Sequence, residues 1–331
     1  MTIEATDIKL GTTYLSETMY FTGGLFAEPQ RGGGLALGPV DANDQDGLIF
    51  YLMTWPEVLE TIRVAGCAFV GVNQSYGDPS PGRMEIWRPV VPSSSQCLHA
   101  SDTWGAISHQ ASLAGDHRFS DVARYLSVST YATGLRLRDI ARAHNEQLRW
   151  ALLAQKKPGS RFSNVALTDV YLAFHALASE LCSARDHLAH IAAIGCGAKE
   201  SIDSMAYLER WLSKPVNADH LTHPLVALLM SQMGTKATPG WLRVLGDIRN
   251  TMLHRQPMGA DPATGALQLS LRPTRKGPLY TLHLVPMDAE TPAGPDPFDQ
   301  LLGLYNRFEA LAIQASLLVP FKADLPLVVG K

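Results

Sequence analysis

Arg249, Asn250 and His254, in the stretch RNTMLH, are residue types that can move protons and steady an anion. Histidine titrates near neutrality and can act as base or acid. Arginine offers a permanent charge and a planar fork of donors for phosphate oxygens. Asn250, one turn before His254, can orient the ring or the substrate. Arg249 and His254 lie about 140° apart on an ideal helix, so they converge only if the arginine wraps round or a second chain supplies the partner. An arginine followed by Asp or Asn and then a histidine occurs twice more, in RDIARAH (Arg138, His144) and RDHLAH (Arg185, His190). The spacing alone does not choose among the three.

A second cluster offers different chemistry. Asp186 and His190 stand one turn apart on a long helical segment, and Glu180 shares a flank with His187. With a His or Glu from a neighbouring helix, Asp186, His187 and His190 could hold a metal ion, as bundle metal sites do. The plainer reading is a wet polar face. His220 and His223 read as loop residues beside a helix start, and His144 and His175 as residues of the bundle surface. The RGGGLALG stretch lacks the ending and spacing of a phosphate loop and reads as a turn.

These residues need a scaffold, and the chain's texture implies one. Residues 168–194 carry Val170, Phe174, Leu177, Leu181, Ala184, Leu188 and Ile191 at alternating steps of four and three, the stripe of a long bundle helix that IGCG stops. Helices are expected in RFSDVARYL, in RLRDIARAHNEQLRWALLAQ before the break KKPGS, in SIDSMAYLERWLSK, in HPLVALLMSQM and in a closing PFDQLLGLYNRFEALAIQASLL. In TPGWLRVLGDIRNTMLHRQP, Thr238 is the expected cap and Pro239 a first-turn residue. Trp241, Leu245, Ile248 and Met252 form its core stripe, opposite Arg243, Asp247, Asn250 and His254, with Arg243 able to pair with Asp247. ALQLSLRPTRKGPLYTLHLVP alternates like a hairpin. Upstream, GLIFYLM and CAFVGV read as buried strands around a helix in TWPEVLETIRVAG, where Thr54, Pro56 and Glu57 have capping-box spacing. The expected fold is mainly α: an α+β N-terminal domain over 1–115, connecting helices over 116–160, and an antiparallel helical bundle over 161–320 with a hairpin insertion near 266–286.

The order Arg-Asn-x-x-x-His in a late bundle helix, after a long helix bearing acidic residues, resembles the RxxxxH motif of the HEPN superfamily. The resemblance covers about residues 160–320. It implies a HEPN-like bundle and a metal-independent ribonuclease leaving a 2′,3′-cyclic phosphate, of the kind found in toxin–antitoxin and defence systems. It assigns the site to Arg249, Asn250 and His254, with Asp186 or Glu180 as acidic support, and needs no cofactor or metal. It implies RNA as partner, a homodimer, and an antitoxin or regulatory protein. The residues after the histidine, Arg255 and Gln256, depart from the HxY form of some members. Two other readings stay open: a non-catalytic RNA-, nucleotide- or protein-binding module, and a metal-dependent enzyme at Asp186, His187 and His190.

Bulk properties bound these readings. With 46% hydrophobic and 18% charged residues the 331-residue chain is globular in composition. Its formal charge of −3 supplies no global attraction for nucleic acid, so a polyanion needs a local basic patch. The start MTIEATDIKLGTTY lacks signal-peptide character, and no apolar run reaches membrane-spanning length. Cys67, Cys97, Cys182 and Cys196 show no CxxC spacing, as expected of reduced thiols in a cytoplasm.

Overall fold

The structure is a computed structural model that describes residues 14–42, 47–76, 84–89, 99–255, 263, 265–285 and 296–324. The N-terminal part forms an antiparallel sheet of β1 (Tyr14–Phe21), β2 (Phe26–Pro29), β3 (Leu35–Ala42), β4 (Leu48–Met53), β5 (Phe69–Tyr76) and β6 (Met84–Pro89) in the order β4-β3-β2-β1-β5-β6. The expected strands in GLIFYLM and CAFVGV are β4 and β5, but β4 is not a buried strand: of its residues only Met53 is buried, and Ile49 and Leu52 are exposed. The glycines of RGGGLALG make the turn into β3, where Gly33 and Gly34 both have positive φ. Between β4 and β5 runs α1 (Trp55–Val64), begun as its sequence predicts: the Glu57 carboxylate accepts the Thr54 N–H at 2.8 Å and its hydroxyl at 3.0 Å. Those bonds, with Lys276 alongside, hold the Glu57 carboxyl down at about 2.

Helices dominate from Ala100 onward. They are α2 (Ala100–Leu113), α3 (His117–Leu153), α4 (Leu167–Gly195), α5 (Met205–Leu212), α6 (Pro224–Met233), α7 (Trp241–His254) and α8 (Pro297–Ser316). A small sheet of β7 (Arg161–Phe162), β8 (Leu267–Thr274) and β9 (Gly277–Leu284) includes the expected hairpin, whose strands pair from Leu267–Leu284 to Thr274–Gly277. Every residue of the predicted α4 stripe is buried, and Gly197, at φ +68°, follows its end. The mainly α expectation therefore holds. The buried apolar residues form one cluster, from Phe21 and Leu37 in the large sheet through α3 to Phe174 and Phe308 in the bundle.

Several local expectations need correction. α2 lies in a stretch without a clear apolar period. Tertiary contacts hold it: Trp104 is fully buried and donates from Nε1 to Ala312 O at 3.0 Å, and the Glu309 carboxylate accepts the Ala100 N–H at 3.0 Å. α3 is one helix of 37 residues, where the sequence reads as two segments. Its middle, STYATG, stays helical because Thr130 Oγ1 donates to Leu126 O and Thr133 Oγ1 to Thr130 O, both at 2.6 Å, which hides the hydroxyls inside the helix. α7 begins after Gly240, not at Thr238, because Thr235 and Thr238 bond each other in a tight turn. Only Leu242 and Leu245 are buried in α7, while Trp241, Ile248 and Met252 pack half-buried on the core.

His144 is not a surface residue. It is fully buried on α3, stacked 5.1 Å from Phe298 and tilted against Phe174 at 5.6 Å, with Nδ1 3.1 Å from Ile140 O. Burial lowers its pKa, so it packs as a neutral ring. His175 is half-buried and its Nε2 has no partner among the described residues. Cys67 and Cys182 are buried free thiols and Cys196 is partly buried; Cys97 lies outside the described residues. Among the described residues no helix is long and apolar enough to cross a membrane.

Two consequences are measurable. His144→Ala should cost about 2–4 kcal/mol in urea unfolding, the range for truncating a packed core ring, whereas His254→Ala should change little; a loss under about 0.5 kcal/mol would be a surface value. Burial also pushes the Glu309 carboxyl up to about 7 from 4.5. The folded state therefore holds that proton more tightly than the unfolded chain does. The contribution of Glu309 to stability, taken against Glu309→Gln, should be fullest below pH 4.5 and fall as pH rises toward about 7, as read from melting temperatures of the two proteins across that range.

Candidate functional site

The face of α7 predicted to carry the chemistry turns partly toward a cleft of about 310 Å³ between α4, α5 and α7. Asp186 comes from α4, Glu209 from α5, and Arg243, Asp247, Arg249 and Asn250 from α7. Three of the five predicted site residues, Asp186, Arg249 and Asn250, thus share one cleft. Glu180 and His254 do not line it. Glu180 stands half-buried on α4, and His254 is exposed at the C-terminal end of α7, one turn beyond Asn250.

Three arginines meet here in different states. Arg185 reaches from α4 to α7: its Nε and Nη2 donate to Asp186 Oδ1 at 3.2 and 3.1 Å, and its Nη1 to Leu242 O at 3.4 Å. The same Asp186 oxygen accepts the Met205 N–H at 3.1 Å and so anchors the start of α5. Arg243 does not pair with Asp247; its guanidinium grips Glu209 across the cleft at 2.6 and 3.4 Å. That pair raises the arginine's already high pKa. Arg249 differs: Nη1 donates to Asn250 Oδ1 at 3.0 Å, Nε is buried without a partner, and among the described residues it makes no ion pair. A guanidinium with spare donors beside a side-chain amide can receive an anionic oxygen.

Burial separates the three matches of the arginine–histidine pattern. In RDIARAH, Arg138 pairs with Asp139 and His144 lies in the core. In RDHLAH, Arg185 is committed to Asp186, and His190 is half-buried with Nε2 unpartnered among the described residues; burial first, then Arg118, lowers its pKa. Among the described residues, only in RNTMLH is the histidine exposed and the arginine free of a carboxylate.

The alternative metal cluster is not gathered. Asp186 is bonded to Arg185 and the Met205 N–H, and His187 stacks on Tyr125 with ring centroids 5.8 Å apart. Burial lowers the pKa of His187. Among the described residues no three His, Cys, Asp or Glu side chains come together in a way that could hold a metal ion. His220 lies in the 3-10 segment Pro215–Thr222, and His223 precedes α6.

One arrangement escaped the sequence. Asp296 Oδ2 lies 2.9 Å from His283 Nδ1, and His283 Nε2 lies 2.8 Å from Thr281 Oγ1, the connectivity of a nucleophile triad. Thr281 is fully buried under the Thr22–Gly24 turn, where a Cβ on Gly23 would stand 3.2 Å from the threonine Cβ. No substrate reaches that hydroxyl, so the relay ties β9 to the start of α8 instead. Glu209 was also missed, because LERWL carries no chemical motif.

Gly246 gives a test of the cleft. A Cβ there would lie 2.7 Å from Arg185 Nη1. In Gly246→Ala the guanidinium should swing off Leu242 O, while helix propensity gains about 1 kcal/mol. Stability should stay within about 1 kcal/mol of the parent, with a changed affinity for RNA or phosphate as the readout. Comparison with protein-family models, with curated proteins and with solved structures finds no match to this chain.

Proposed function

We propose that this cleft receives the RNA backbone and that Arg249, Asn250 and His254 cleave it without a metal, as a HEPN-type endoribonuclease in a defence or toxin system. The 2′-hydroxyl attacks the adjacent phosphorus and loses its proton to a base. The P–O5′ bond breaks, and the leaving oxygen takes a proton, giving a 2′,3′-cyclic phosphate and a 5′-hydroxyl. His254 transfers one of these protons, and Arg249 neutralises the charge that builds on the phosphoryl oxygens. Asn250 holds the guanidinium on its cleft side. Asp186 acts by fixing Arg185 and α5, as a positioning residue. Glu180 has no role on this reading, since it stands off the cleft.

The observation that carries the reading is the state of Arg249: unpaired with any carboxylate among the described residues, bonded to Asn250, and five residues before an exposed histidine. His254 stands off the cleft wall, and a second copy of the chain in a cytoplasmic homodimer is the economical way to bring a histidine and an arginine onto one phosphate. The same displacement favours, as second reading, a module that binds RNA without cleaving it.

The two separate in one experiment. On the nuclease reading the parent protein cleaves single-stranded RNA in the presence of chelator. His254→Ala loses at least about a hundredfold in rate while keeping its RNA affinity, and Arg249→Ala loses both rate and affinity. A parent protein that binds RNA but leaves it intact, with His254→Ala weakening binding, is the module. Cleavage abolished by chelation, or lost in His190→Ala and kept in His254→Ala, overturns the assignment of the site.

A further inference from the structure

A cavity of about 290 Å³ lies between β6, α2, α3 and α8, away from the α4–α5–α7 cleft. Its floor is Glu309 on α8, 1% exposed. One carboxylate oxygen accepts the Ala100 N–H at 3.0 Å and the other the Tyr305 hydroxyl at 3.1 Å, so each keeps a further lone pair. Aromatic rings come from two elements, Trp87 on β6 and Tyr131 on α3. Arg88 is exposed at the rim. Two lining residues have polar atoms shut from water with no partner among the described residues, Trp87 Nε1 and His99 Nδ1. Each such group costs about 1–3 kcal/mol unless a ligand or water satisfies it.

The lining sets a buried carboxyl, Glu309, at the floor and an exposed guanidinium, Arg88, at the mouth, with the Asp102 carboxylate also exposed in the lining. A ligand with donors at one end, an anion for Arg88 at the other, and a flat body between the aromatic rings fits this arrangement. We propose that this cavity binds a guanine nucleotide, with the base N1–H and N2–H₂ edge on Glu309, the ring system against Trp87 and Tyr131, and the phosphate at Arg88. Adenine presents an acceptor, N1, where guanine presents a donor, and so sets a lone pair against the carboxyl. The volume suits a mononucleotide; the same chemistry could be offered by a free nucleotide or by a guanine at the 5′ end of an RNA strand. Burial pushes the Glu309 carboxyl up to about 7, and two N–H donors from a base favour its ionised form. The inference does not depend on the nuclease reading.

The test is calorimetric titration of the full chain at pH 8 with 5′-GMP, 5′-AMP, 5′-IMP, guanosine and a 5′-phosphorylated RNA hexamer beginning with G. GMP should bind in the micromolar range. AMP should be at least about tenfold weaker, and IMP, which lacks the 2-amino donor, intermediate. Arg88→Gln should weaken GMP by about tenfold and leave guanosine unchanged. Tyr131→Ala, at a half-exposed position that folding does not need, should weaken all three purine nucleotides alike. Glu309→Gln should erase the preference for GMP over AMP; if that variant does not fold, the IMP comparison in the parent reads the same edge. Hexamer binding tighter than GMP identifies an RNA end as the source, and the reverse order a free nucleotide. Equal affinity for GMP and AMP, no GMP binding at about 1 mM, or binding of free arginine in place of GMP overturns the proposal.

Discussion

The Gly23–Gly24 turn pressed against α3 is the contact on which the arrangement of the chain depends. Gly24 has φ +79°, and a Cβ there would sit 2.8 Å from His144 O and 3.0 Å from Leu148 Cβ. On Gly23, at φ +77°, it would sit 2.8 Å from Cys67 Sγ. No side chain fits at either place, so the backbone between β1 and β2 meets the helix directly. Asn145 Nδ2 then donates to Gly24 O at 2.8 Å and fixes the register of that contact. Through it Phe21 and Leu25 enter the same core as Leu148 and Ile140. α3 also packs on α4, and α4 on α5 and α7. The arginine cleft is thus joined to that turn through a series of packed helices.

Within that frame the cleft divides its arginines by role. Arg185 and Arg243 are struts, each tied to a carboxylate, and each tie joins two segments: Arg185 crosses from α4 to a carbonyl of α7, and Arg243 from α7 to Glu209 on α5. Partly exposed pairs of this kind contribute little to stability, on the order of 1 kcal/mol or less. What they supply is geometry, since planar guanidinium forks hold helices at fixed spacing. Their charge is already answered, so neither has much left for a substrate. Arg249, tied among the described residues only to an amide, keeps its charge in play. A chain with a net charge of −3 can therefore still present a local cationic point, which is all that one phosphate requires.

How much of this was legible depended on which force held each element. α4 could be read along its whole length because one apolar stripe drives its burial, and the β8–β9 hairpin and the Thr54–Glu57 box could be read because short-range chemistry specifies them. α2 could not. Its sequence, ASDTWGAISHQASL, has modest helix propensity, and what fixes it is Trp104 and Glu309, whose partners lie more than 200 residues away. The continuity of α3 was hidden by Ser and Thr residues that look like a break until their hydroxyls bond back to the helix. The start of α7 was misplaced because Thr238 spends its side chain on Thr235. In each case a partner outside the local window decided the outcome.

The candidate site shows the same limit in a sharper form. Spacing along a helix says which side chains share a face, but not whether that face meets solvent, a core or a carboxylate. RDIARAH, RDHLAH and RNTMLH are nearly equivalent as patterns. The fold places the first histidine between Phe174 and Phe298, gives the second arginine to Asp186, and leaves the third pair accessible. The distinction arises from the neighbours of α3, α4 and α7, not from the motifs themselves. Histidine as an isolated residue type is thus a weak guide to chemistry, because its ring packs as readily as a phenyl once burial has lowered its pKa. An arginine is the better marker. It cannot shed its charge, so a half-buried one with no carboxylate beside it among the described residues keeps donors that an anion can use.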